Sequence, residues 1–223
     1  MGHRVRFANP SADQVYLYSP TSSTSSRSPG PATPPSPHSS LPQSSVSSPL
    51  EVILVKGFHD ALRLNSKDTL KIDLSVDPRT NPSLISSDYF SSIQGEDATI
   101  PPTGYVELWS RWLPWVIEIT PKTGPHVTVY DMLCGLYDAL HARMTEEEYH
   151  ASTDLSRFPG IRDDVDSAFK KRCDKIMEHN VGLAEKERNN GRRRLDLLRG
   201  NNIFYGLSVD PNTEVVKFSV KDT

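Results

Sequence analysis

Residues 105–142 read YVELWSRWLPWVIEITPKTGPHVTVYDMLCGLYDALHA, and two hydrophobic periods meet within them. Tyr105 to Ser110 and Trp115 to Thr120 alternate with period two, and the second run places Trp115, Ile117 and Ile119 on one face of a strand. Pro114 stands at the head of that strand, where a missing N–H is tolerated. From Val129 the period lengthens. Val129, Met132, Leu133, Leu136, Tyr137 and Leu140 fall at i, i+3, i+4, i+7, i+8 and i+11, the apolar stripe of a helix that runs to Ala142. Thr128 and Asp131 have the spacing of a capping box, in which each side chain satisfies the other residue's backbone N–H. Strands that lead directly into an amphipathic helix indicate an α+β domain.

The same reading extends both ways. Upstream, Leu70, Ile72, Leu74 and Val76 alternate with Lys71, Asp73 and Ser75, which predicts a half-buried strand. Val52 to Val55 is an apolar run that fits a short strand or a helix start, and periodicity does not separate the two. Residues 77–103, rich in proline and serine, read as a long surface loop. Downstream, Thr145 and Glu148 repeat the capping spacing ahead of a short helix carrying Tyr149. A helix is predicted from about Asp163 to Glu178, with Val165, Ala168, Phe169, Cys173 and Ile176 inward and Asp163, Asp164 and Asp166 crowding the positive end of its dipole. Gly182 to Asn190 extends a helix until Gly191 stops it. Leu195 to Leu198 is ambiguous. Ile203–Val209 and Glu214–Val220, separated by Asp210-Pro211-Asn212, read as a closing hairpin. The expected fold is one α+β domain over residues 51–223, a mainly antiparallel sheet of about five strands packed by three or four helices.

Residues 1–50 differ in kind. Between Ser19 and Leu50, 24 of 32 residues are Ser, Thr or Pro. Such a stretch buries too little apolar surface to offset about 1–2 kcal/mol of backbone ordering entropy per residue, so a disordered tail is expected. The tail carries a net charge of +2 and the remainder −5, within a total of −3. That balance does not suggest a generally nucleic-acid-binding protein. Cys134 and Cys173 both lie in amphipathic helices and read as reduced core thiols. No segment has the ~18 apolar residues needed to span a bilayer, and Arg6 stands where an N-myristoylation motif wants Ser or Thr. A cytosolic or nuclear protein is expected.

Several local patterns recur in one known family. Leu113-Pro114-Trp115 precedes the alternating Ile117 and Ile119, and Val127-Thr128-Val129 is followed by Asp131-Met132-Leu133. Farther on come Thr145 with Glu148-Tyr149, Ala168-Phe169-Lys170-Lys171-Arg172-Cys173, Gly191-Arg192-Arg193-Arg194-Leu195-Asp196 and Phe204-Tyr205-Gly206-Leu207-Ser208. In this order, over most of residues 58–220, the chain resembles a family of fungal proteins, mainly from basidiomycetes, defined only as a domain of unknown function. It departs from the family where His59-Asp60-Ala61-Leu62 replaces a His-Pro opening and in the length of residues 77–103. The resemblance implies no activity, cofactor or catalytic residue.

Candidate sites fall on both sides of residue 50. Arg4-Val5-Arg6-Phe7 fits the basic-Val-x-Phe pattern with which partners of protein phosphatase 1 dock. An extended segment there would place Val5 and Phe7 on one side for pockets beside a sheet edge, with Arg4 toward an acidic rim. Ser19, Ser28, Thr33, Ser36 and Ser48 each precede a proline, the setting favoured by proline-directed kinases, and each phosphate would add roughly −1.5 to −2 charge. Trp109, Trp112 and Trp115 form either core packing or an aromatic shelf for proline-rich peptides. The packing reading puts Trp109 and Trp115 in the core and leaves Trp112 in the turn as the candidate contact. Arg192, Arg193 and Arg194 form a basic cluster that would face solvent, touch phosphate or pair internally with Asp196.

The chain has no G-x-S-x-G elbow, P-loop, HExxH or paired-cysteine spacing, so neither a metal, a cofactor nor a catalytic residue is predicted. The leading expectation is a non-enzymatic protein-interaction module that docks protein phosphatase 1 through its N-terminal segment. The alternative is a small-molecule or peptide-binding domain, an enzyme among its forms, with a pocket between sheet and helices.

Overall fold

A computed structural model of the chain describes residues 55–153, 160–213 and 215–221. In chain order the elements are β1 (Gly57–Phe58), β2 (Ile72–Asp73), α1 (Pro82–Ile85), α2 (Asp88–Ile93), β3 (Thr99–Ile100), β4 (Val106–Trp109) and β5 (Ile117–Ile119). The helices α3 (Val129–His141), α4 (Glu146–Ser152), α5 (Ile161–Met177) and α6 (Val181–Asn190) follow, then a 3-10 turn (Arg194–Leu198), β6 (Ile203–Val209) and β7 (Val216–Lys221).

The main sheet has the order β2-β6-β7-β4-β5, and β1 pairs with β3 in a separate two-stranded ribbon. The β6–β7 hairpin sets Val209 opposite Val216 and Phe204 opposite Val220. Its second strand docks beside β4 in parallel, with Leu108 opposite Val216. The sheet is therefore mixed rather than mainly antiparallel. Hairpin chemistry specifies that β6 and β7 pair with each other, but not which of them is inserted next to β4. The fold inserts β7, and the long helical crossover between β5 and β6 brings it in with that direction.

Apolar alternation on the strands and 3.6-residue spacing on α3 meet in one core. Leu108, Ile119, Phe204 and Leu207 from the sheet pack with Met132, Leu133, Leu136 and Leu140 from α3, all fully buried. Both predicted capping boxes form, Thr128 with Asp131 and Thr145 with Glu148. At Gly206 the chain has φ +131° and an added Cβ would lie 2.6 Å from the Cα of Leu64. Here β6 carries a bulge, and the Leu62–Leu64 backbone bonds to both N–H and C=O of Leu207.

Three local readings are corrected. The strand expected over residues 70–76 shortens to Ile72–Asp73, because the Asp73 side chain accepts from the N–H of Ser75 at 2.8 Å and its carbonyl accepts from Val76, turning the chain out of the ladder. Residues 77–103 hold α1, α2 and β3. Asn81 and Ser87 there are N-caps and Pro82 opens α1, so residues that signal a loop are helix starts. Trp109 lies on the outer face of β4, half-buried, with the Lys217 ammonium 5.5 Å from its ring centre; only Trp115 of that pair enters the core. Among the described residues, no helix is long and apolar enough to cross a membrane.

Candidate functional site

Helix α5 presents Asp164, Ser167, Ala168, Lys171, Arg172 and Lys175 at i, i+3, i+4, i+7, i+8 and i+11, a single face. Opposite it stand the β4–β5 turn with Arg111 and Trp112, the loop from Arg199 to Asn202, and the end of β2 at Asp73. These walls enclose an open groove of about 640 Å³.

An ion-pair network forms its back wall. Arg172 grips Asp196 with both arms, Nε to Oδ1 and Nη2 to Oδ2 at 2.9 Å each, and also donates to Glu187. Arg193 donates to the other oxygen of Glu187 at 2.7 Å and to Nδ1 of His141 at 2.9 Å. Because a guanidinium only donates, Nδ1 of His141 accepts, and its proton sits on Nε2, which donates to the carbonyl of Leu74 at 3.0 Å. The network thus ties α3, α5, α6 and the 3-10 turn together. Burial pulls the His141 pKa below the usual histidine range, and the charge of Arg193 adds to that. Burial opposes the charges of Arg172 and Glu187, but Asp196, with Glu187 behind it, holds the Arg172 pKa up, and Arg193, with Arg172 behind it, holds the Glu187 pKa down.

The predicted Arg192–Arg194 cluster faces inward onto carboxylates. Arg192 donates to Asp166 at 2.7 Å while stacking 4.2 Å over Tyr149, Arg193 holds Glu187, and Arg194 holds Glu148 with its guanidinium 4.8 Å over Trp115. The backbone N–H of Arg193 also reaches Asp196 at 2.8 Å. Internal pairing is therefore the role of this cluster, although the main partner of Asp196 is Arg172 from α5. Trp112, half-buried, lines the groove with the guanidinium carbons of Arg111 and Arg199 at 4.6 and 4.3 Å from its ring centre. Sequence reading did not single out Arg111, Lys171 or Lys175; the i, i+4 spacing of the two lysines on a helix was the available signal. Arg4, Val5 and Phe7, like Ser19, Ser28, Thr33, Ser36 and Ser48, lie outside the described residues.

The remaining reactive groups are tied up locally. Cys134 and Cys173 are free and buried, which pushes both thiol pKa values up. His59 meets Glu96 at 2.7 Å and His126 meets Asp97 at 3.6 Å. Among the described residues no group of three His, Cys, Asp or Glu side chains is arranged to hold a metal.

Comparison with known protein families matches residues 70–215 to a family of unknown function, DUF6699. The chain belongs to this family. Neither the curated proteins nor the solved structures yield a match. The DUF6699 match runs from just before β2 to just before β7, so every groove residue from Asp73 to Asn202 lies inside it. β1 and β7 lie beyond its ends.

Within this DUF6699 groove, Asp196 is committed to Arg172, and Asp164 to Arg199 at 3.1 Å. Arg111, Lys171 and Lys175 have no ion-pair partner among the described residues. Two buried polar atoms on the same wall, Nε of Arg199 and Oδ1 of Asn202, have no hydrogen-bond partner there either. The groove offers unspent positive charge, one unspent donor and one unspent acceptor.

Proposed function

We propose that this DUF6699 protein is a non-enzymatic interaction module that holds an extended anionic segment of a partner protein in the groove between α5 and the β4–β5 turn. Its charge carries the reading. Five cationic side chains (Arg111, Lys171, Arg172, Lys175 and Arg199) meet three carboxylates (Asp73, Asp164 and Asp196) in a chain whose net charge is −3. A local positive cleft on an acidic protein focuses the field on anionic ligands. Its volume lies within the roughly 300–1,000 Å³ common for ligand sites. Asp164 and Asp196 serve as guanidinium holders, which favours binding over proton transfer. The N-terminal Arg4-Val5-Arg6-Phe7 segment is proposed as a second contact, adding a strand to protein phosphatase 1, with the tail's Ser-Pro and Thr-Pro sites as kinase targets.

Fluorescence anisotropy with a labelled glutamate-rich peptide pool tests the groove. Binding should weaken steeply with salt, and Lys171→Glu with Lys175→Glu should reduce it by about tenfold or more, while Lys186→Glu outside the groove leaves it unchanged. Equal affinity in both variants would refute the assignment. For the second contact, Val5→Ala with Phe7→Ala should abolish retention of phosphatase 1 in a pull-down, and undiminished retention would remove that element.

A further inference from the structure

We infer that the segment this groove takes carries phosphoserine or phosphothreonine, its phosphate held between the guanidinium groups of Arg111 and Arg199. This rests on the anionic-peptide reading and narrows it.

The arrangement around Trp112 points to a dianion. Two guanidinium carbons at 4.6 and 4.3 Å from one indole centre can be no more than roughly 9 Å apart, held there by cation–π contact. Such a pair suits one phosphate, whose three oxygens accept charge-assisted bonds of about 2.8 Å from both sides. A carboxylate offers two oxygens and one charge, enough to occupy a single fork. Phosphate brings about −1.5 to −2 charges to meet both. Arg111 is exposed on a turn without a carboxylate partner, and Arg199 spends only Nη1 on Asp164, leaving its buried Nε unpaired. Lys171 and Lys175, one helical turn apart on the facing wall, add charge without orientation.

A second feature suits a peptide as the carrier of that phosphate. The unpaired Oδ1 of Asn202 is an acceptor on the same wall, in need of a donor. The backbone N–H beside a phosphoserine supplies that donor next to the phosphate. A lipid headgroup would bring phosphate too, but the site is a cleft in an acidic chain rather than a projecting basic face.

The test uses the full-length protein and three fluorescein-labelled degenerate peptide pools, alike except for a central phosphoserine, glutamate or serine. The phosphoserine pool should bind about tenfold tighter than the glutamate pool, and inorganic phosphate should compete with it. Its affinity should rise between pH 5 and 7, as the phosphate loses its second proton near about pH 6, while that of the glutamate pool stays flat. Arg111→Lys, which keeps the charge and loses the fork, should erase the preference for phosphoserine with little effect on glutamate. Lys171→Ala with Lys175→Ala should weaken both pools alike. Equal binding of the glutamate and phosphoserine pools would overturn the inference and leave the anionic-peptide reading standing. Binding of neither would overturn both. Tighter binding to phosphatidylcholine vesicles containing phosphoinositide than to the phosphoserine pool would overturn it in favour of a lipid ligand.

Discussion

Replacing Arg172 with alanine should be among the most damaging single changes away from the apolar core. The side chain is 13% exposed, and it faces Asp196 at 2% and Glu187 at 9%. Truncation removes three hydrogen bonds to carboxylates at once, and a longer one to the carbonyl of Gly191. Among the described residues, Asp196 would keep only the N–H of Arg193 at 2.8 Å, and Glu187 would keep only Arg193. Removing one partner of a buried pair costs about 3–5 kcal/mol, and the surviving bonds place this case near 3. For a folded region of this size that lowers Tm by about 6–12 °C. Urea unfolding followed by tryptophan fluorescence, with Trp115 buried in the core, reads the loss as a shifted midpoint at unchanged slope. Arg188→Ala is the control. Its partner Asp174 is 3.1 Å away with both side chains nearly half exposed, and such a pair contributes about 0–1 kcal/mol. An Arg172→Ala loss no larger than that of Arg188→Ala would refute the network's structural role.

Two further outcomes follow from the same geometry. His141 is neutral in the fold, and its pKa lies below the unfolded value of about 6.5. Below that pH the unfolded chain takes up a proton that the folded chain resists, so stability is full above about pH 6.5 and falls as pH drops through the folded pKa. Urea midpoints from pH 7.5 to 5 should show this slope, and His141→Gln should flatten it; an unchanged slope would place the titration elsewhere. Gly206→Ala should cost about 2–3 kcal/mol, because the added Cβ meets the Leu64 backbone at 2.6 Å and φ is +131°. A wild-type midpoint in that variant would mean that Leu64 yields freely.

Much of the fold was legible because its local signals agreed with its tertiary ones. Thr128–Asp131 and Thr145–Glu148 announce α3 and α4, Gly191 closes α6, and Asp210-Pro211-Asn212 turns β6 into β7. Where two elements had to be placed in space, local pattern was silent. Period-two alternation at β4 and β5 marks a buried face but not which neighbour flanks it, so the parallel β4–β7 pairing is not legible. Trp109 obeys the alternation, sharing the outer face with Glu107 while Val106 and Leu108 turn inward; expecting it in the core set its size above that pattern. Serine and asparagine serve loops and N-caps alike, and this concealed α1 and α2. The site shows the same division. Three consecutive arginines drew attention by proximity in sequence, yet each meets a carboxylate supplied by another helix. The groove's unspent charge comes from Arg111 and two lysines some sixty residues away, joined only when α5 packs against the 3-10 turn and the loop beyond it. Trp112 was singled out as the tryptophan left over from packing, and it does line that groove.

Chemical-shift mapping of the isotope-labelled protein, titrated with the phosphoserine and glutamate peptide pools, tests the groove most directly. The account predicts that the largest shifts fall on the Trp112 indole N–H, the Asn202 side-chain amide and the amides of Lys171 and Lys175. Shifts centred instead on the outer sheet face around Trp109 and Tyr205, or none at saturating peptide, would contradict it.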